Sequence, residues 1–128
     1  MAAKKDRNRE ARRAELGSAL QRALLVRGLE GLRLRDIADE AGITPAAVLY
    51  YGDLDGLAYE TYQQAIQRFC EDREAAAEEF PDARDRLRAC IEVGVAAGPD
   101  DALVRLLFEY WPRCLRDAKA AALDSALT

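Results

Sequence analysis

The stretch Ile37–Tyr51, IADEAGITPAAVLYY, decides how the chain is read. Small residues, one glycine and one proline separate two apolar runs, the pattern of two short helices meeting at a tight corner. Ala38 is small enough to let the helices cross closely. Gly42 can take the positive φ that the turn demands, while Ile37, Ile43 and Val48 fill the wedge between them. Thr44 caps the second helix, and Pro45 sits in its first turn, where a lost N–H costs nothing. The spacing predicts helices from Leu34 to Ala41 and from Thr44 to Tyr51.

Working outward, Leu16, Ala19, Leu20, Ala23 and Leu24 mark one face of a preceding helix from Glu10 to about Arg27, ended by Gly28. After Gly52, Asp53 is placed to cap a long helix carrying Leu57, Tyr62, Ile66, Phe69, Arg73 and Ala76 toward Phe80, where Pro81 stops it. Asp82 can cap a fifth helix with Leu87, Cys90, Ile91, Gly94 and Val95 on its inner face, ended by Gly98 and Pro99. A sixth begins near Asp100 or Asp101 and presents Leu103, Leu106, Leu107, Tyr110, Trp111 and Cys114, with a kink expected at Pro112. The alanine-rich AKAAALDSALT beyond Asp117 reads as a helix that is cut off. No window alternates as a half-buried strand does, so the expected class is all-α. The expected domains are 1–52, a three-helix unit holding the corner, and 53–128, a helical body.

Half of the 128 residues are apolar and a third are charged, with four prolines and eight glycines, which places the chain among globular helical proteins. The charged start, MAAKKDRNREARRAE, has no apolar run of signal-peptide length, so a cytoplasmic location and no membrane association are expected. Cys70, Cys90 and Cys114 are too widely spaced for a zinc site and odd in number, and are read as small buried hydrophobes.

The net charge of −4 hides a gradient. Residues 1–52 hold ten Lys or Arg against seven Asp or Glu, net +3, and residues 53–128 hold nine against sixteen, net −7. Six of the cations, Lys4, Lys5, Arg7, Arg9, Arg12 and Arg13, fall within the first thirteen residues. A basic end beside a helical corner points to a polyanion, because phosphate attraction is local and fades within a Debye length. Together they predict binding to double-stranded DNA.

The segment Leu32–Leu57, LRLRDIADEAGITPAAVLYYGDLDGL, resembles the DNA-binding segment of the tetracycline-repressor (TetR) family of transcription regulators. The resemblance covers about the first 60 residues, and later ones share only helical character. It implies a dimeric repressor that sets its third helix in the major groove and leaves its operator when a small-molecule effector binds the helical body. On that likeness Arg35, Thr44 and Tyr51 touch phosphates. Pro45, Ala46, Ala47 and Tyr50 lie on the exposed face of the recognition helix, and Lys4 to Arg13 lie along the backbone or minor groove. The chain departs from the family pattern at Arg33, in place of a capping Thr or Ser, at Leu49, in place of a Tyr, and at Leu54, in place of a Lys. It also lacks the aromatic that normally follows the Tyr51 position. With those phosphate partners gone, the basic arm is expected to supply more of the affinity than usual. Family members dimerise through two last helices that have no counterpart before Thr128, so the body is expected to be incomplete at its carboxyl end, with a homodimer if those helices are present.

The third helix offers only Thr44, Tyr50 and Tyr51 as hydrogen-bonding side chains, whereas direct readout normally uses Arg on guanine and Asn or Gln on adenine. Ala46 and Ala47 suit the thymine methyl, and Arg33 or Arg35 can add a contact. Base discrimination is therefore expected to be modest, with operator spacing and DNA shape contributing much of the specificity. Ala47→Glu is expected to abolish operator binding without unfolding the protein.

In the body, Tyr62, Phe69, Cys90, Phe108, Tyr110 and Trp111 are candidates to line an effector pocket between helices four, five and six. Glu109 beside Trp111 suggests a cationic or amphipathic ligand. No catalytic constellation, cofactor loop or metal-spaced cluster occurs. The chain has no histidine, serine only at Ser18 and Ser125, and asparagine only at Asn8, which argues against an enzyme and against a cofactor. The competing reading is a helical protein-interaction module, for which the basic arm and the corner would be coincidental.

Overall fold

A computed structural model describes residues 2–95, 98 and 100–117 of the chain. Among these, six helices and no strand occur: α1 (Ala2–Gly31), α2 (Leu34–Ala41), α3 (Pro45–Tyr51), α4 (Leu54–Glu78), α5 (Ala83–Val93) and α6 (Ala102–Cys114). The all-α class follows directly from the helical spacing of the apolar residues. The expected helix over 118–128 lies outside the described residues, as does Pro99. The chain divides into two compact units, Met1–Thr61 and Tyr62–Thr128, and the division falls inside α4.

In the first unit α1 packs on α2, and α2 on α3. Leu16, Ala19, Leu20, Ala23 and Leu24 are buried along α1, as the spacing predicts, and Leu29, Leu32, Ile37, Ala38 and Val48 are buried with them. The helical path breaks at Gly28 (φ 71°, ψ 163°), a conformation that L side chains rarely adopt, and resumes for one turn to Gly31. At its other end α1 begins at Ala2, well before Glu10. That extension has no apolar face, so periodicity is silent there. Its alanine, lysine and arginine residues are strong helix formers, and just beyond it Arg12 pairs with Glu15 at 2.8 Å.

The corner forms through its backbone. Gly42 is left-handed (φ 69°, ψ 31°). Its N–H donates to the Asp39 carbonyl at 3.3 Å, and the Ile43 N–H donates to the Ala38 carbonyl at 3.1 Å. This paired closure satisfies two carbonyls at the end of α2 and turns the chain at once into the next helix. A Cβ at Gly42 would meet nothing within 4 Å, so Gly42→Ala isolates the backbone cost. It is expected to lower stability by about 1–2 kcal/mol in urea unfolding, with the fold retained. Ile37, fully buried in the wedge, is a packing residue. Ile37→Ala is expected to cost about 2–5 kcal/mol by the same measurement.

In the second unit Asp82 caps α5, its carboxylate accepting from the N–H groups of Arg84 and Asp85. Asp101 caps α6 in the same way, accepting from Val104. Tyr62 and Tyr110 stack with ring centroids 4.3 Å apart, and Ala65, Ile66, Ala89 and Leu106 are also buried. The expected inner face of α5 is corrected. Leu87, Ile91 and Val95 are all exposed, and Ala89 is the buried position. Leu87 and Ile91 share one stripe of α5, but the buried side of the helix lies elsewhere, and Val95 falls past its end. The helix also ends earlier than expected, at Val93, with Gly94 rather than Gly98 as its C-cap. On α6, Leu106 and Tyr110 are buried while Phe108, Trp111 and Leu115 are exposed. Cys70 and Cys90 are half-buried free thiols rather than core residues.

A candidate nucleic-acid interface

The first unit gathers the basic start of α1 and the outer face of α3. Lys4, Lys5, Arg7, Arg9, Arg12 and Arg13 are exposed on α1, and Arg33 and Arg35 at the start of α2. On α3 and its cap, Thr44, Pro45, Ala46, Leu49 and Tyr50 are exposed, Ala47 and Tyr51 are half-buried, and Val48 is fully buried. Val48 faces inward, so Ala46 and Tyr50, two residues to either side of it, face out. Ala46 is open to a partner, and Ala47 partly so.

Local chemistry holds this face in place. The Thr44 hydroxyl accepts the Ala47 N–H at 3.1 Å, and Pro45 begins the helix, which sets the start of α3. Asp53 accepts the Gly56 N–H at 2.7 Å and so fixes the start of α4 after the short junction. Gly52 at that junction is extended (φ 159°, ψ 164°), with Leu57 beside it. Arg33 occupies the N-cap of α2 without a capping hydroxyl. The Asp36 carboxylate instead accepts the Arg33 backbone N–H at 2.8 Å, leaving the Arg33 guanidinium outside the cap. Arg22 ties α1 to the last turn of α2 through the Glu40 carboxylate and carbonyl, both at 3.2 Å.

Two arginines join α1 to α3 directly. The Arg9 guanidinium lies over the Tyr50 ring, 5.7 Å from its centroid, and Tyr50 meets Tyr51 edge to face at 5.2 Å. Arg13 donates to the Tyr51 carbonyl at 3.5 Å and lies 3.6 Å from the Glu60 carboxylate. Arg13 therefore positions the end of α3, and the outward cations are those nearer the start of α1. Between the two helices lies an open cleft of about 560 Å³, lined by Lys5, Asn8, Arg9, Arg12, Tyr50 and Tyr51 among others. The sequence marks Leu49 only as a departure from the family's Tyr, and Asn8 only as the single asparagine, neither as a site residue. Asn8 has the only side-chain amide of its type in the chain, a signal that its place among the arm cations could have raised.

The expected effector set in the second unit is not brought together as one lining. Tyr62 and Tyr110 are buried against each other, with the Arg113 guanidinium 5.6 Å from the Tyr110 centroid. Phe108 and Trp111 are on the exposed side of α6. Phe69 and Cys90 do approach one region. Arg73 lies over the Phe69 ring, its carbonyl is 3.7 Å from the Cys90 sulfur, and a Cβ at Gly94 would meet Phe69 at 3.6 Å. Glu109 accepts from Arg105 Nε at 2.6 Å, so a cation of the same helix already lies against this carboxylate. The side chain of Cys114 lies outside the described residues. No group of three or more His, Cys, Asp or Glu suited to a metal ion occurs among the described residues. Nor, among them, is any helix long and apolar enough to cross a membrane.

The geometry defines an all-α chain with an amino-terminal helix-turn-helix unit. No protein-family model matches it, and no curated protein matches it. Among solved structures it is similar to a crystal structure of a "putative transcriptional regulator from Pseudomonas aeruginosa PAO1", at 26% sequence identity and a TM-score of 0.69. The match covers 91% of this chain and 58% of that one. The chain thus spans less than two thirds of the length of the protein it resembles.

Proposed function

We propose that the chain is a TetR-like, DNA-binding transcription regulator whose first unit docks α3 in the major groove while the start of α1 lies along the phosphate backbone. The observation that carries this reading is the exposed outer face of α3 beside an exposed row of cations, with Gly42 turning the chain sharply between α2 and α3. A buried outer face or an unbroken helix through Gly42 would have left no surface to enter a groove. Likeness to a structure described as a transcriptional regulator supports the same reading.

In this proposal the protein is a cytoplasmic repressor that works as a homodimer, since one helix-turn-helix reads one half-site and two linked heads gain effective concentration. A small-molecule effector releases it by binding the second unit more tightly in the DNA-free state. Phe69 and Cys90, half-buried beside Arg73, are the residues of the expected set best placed to meet such a molecule.

One observation favours a second reading, a helical protein-interaction module. Leu87 and Ile91 on α5, Val95 just past its end, and Phe108 and Trp111 on α6 are exposed apolar residues that a protein partner could cover. Binding to random duplex DNA across a salt series separates the two. The regulator predicts affinity that falls steeply and linearly on logarithmic axes; no binding at low salt favours the module.

A further inference from the structure

Leu49 is a large apolar side chain, 56% exposed, in the middle of a seven-residue helix. One exposed leucine is ordinary by itself. Here Pro45 and Ala46 lie four and three residues before it, on the same side of α3, and both are exposed. The three make a continuous exposed apolar ridge along one flank of α3, beside the buried Val48, and no hydrogen-bonding side chain interrupts it.

From this ridge we infer that Leu49 is a base-reading residue, and that the ridge recognises the C5-methyl groups of thymines in the major groove. The inference rests on the proposed DNA-binding function and names the chemical feature that the site selects. The major groove offers one apolar group, the thymine methyl, and an apolar side chain distinguishes thymine by burying it. Charge complementarity argues for duplex DNA as the occupant. The ridge is followed by Tyr50 under the Arg9 guanidinium, and the adjoining start of α1 is lined with cations. Leu49 reaches farther from the helix axis than Ala46, so the two can meet methyls on different base pairs.

The test uses the whole chain and a duplex recovered by selection from a random pool. Each thymine is replaced singly by deoxyuridine, which removes the methyl and leaves every hydrogen-bonding group in place. For the unaltered protein, at least one substitution per half-site is expected to weaken binding about fourfold, the ratio set by burying one methyl group. Leu49→Ala, on an exposed position, is expected to fold normally and to bind the thymine and uracil duplexes equally at one of those positions, while any penalty owed to Ala46 persists. Indifference of the unaltered protein to every replacement overturns the inference and leaves DNA binding standing. So does a Leu49→Ala variant that keeps every uracil penalty, including one whose only change is in oligomeric mass. Recovery of no duplex at low salt overturns both.

Discussion

Ala46→Glu is expected to reduce DNA affinity by roughly 100-fold or more, because it sets an anion against the phosphates and in the groove at the centre of the docking face. Ala46 is exposed and lies in the first turn of α3, so its folding cost is expected to stay within about 0.5 kcal/mol. Ala47 is the less clean choice for this test. It is half-buried and its N–H closes the Thr44 cap, so a glutamate there perturbs packing as well as charge. Thermal unfolding checks that Ala46→Glu is folded, and a titration with selected duplex reads the loss. A folded variant that binds undiminished contradicts the placement of α3.

The second large effect is in the salt dependence. Replacing Lys4, Lys5 and Arg7 by glutamine together removes three exposed cations from the first turns of α1. If each neutralises one phosphate, the slope of log affinity against log salt is expected to become shallower by about three, and binding at low salt to weaken on the order of 100-fold. Arg9 and Arg13 are left in place for this experiment because their contacts, to the Tyr50 ring and to the Tyr51 carbonyl and Glu60, hold α3 itself. An unchanged slope would mean that the arm does not meet phosphate.

The residues that specify backbone conformation were the most legible in the sequence. The bounds of α2 and α3 follow from Gly42, Thr44 and Pro45, because positive φ, a capping hydroxyl and a missing N–H each have one local solution. Asp53, Asp82 and Asp101 cap their helices for the same reason. Faces were less legible than bounds. Periodicity groups Leu87 and Ile91 on one side of α5, yet the side that is buried depends on neighbours distant in sequence, and Ala89 is the residue turned inward. The aromatics of α6 divide likewise, Tyr110 inward and Phe108 outward. In the candidate interface the cations were visible as charge, but their division of labour was not. Arg9 over Tyr50 and Arg13 on the Tyr51 carbonyl bridge positions about forty residues apart, a pairing that no local spacing encodes. The start of α1 was missed because a helix with no apolar face has no period to detect.

The most direct measurement is an amide-resolved NMR titration of the isotope-labelled chain with a duplex selected from random DNA. Perturbations are expected at residues 46–51 and along the first turns of α1, with Leu49 and Tyr50 among the largest. Shifts confined to α5 and α6, or none at saturating duplex in low salt, would contradict the claim that α3 enters the groove.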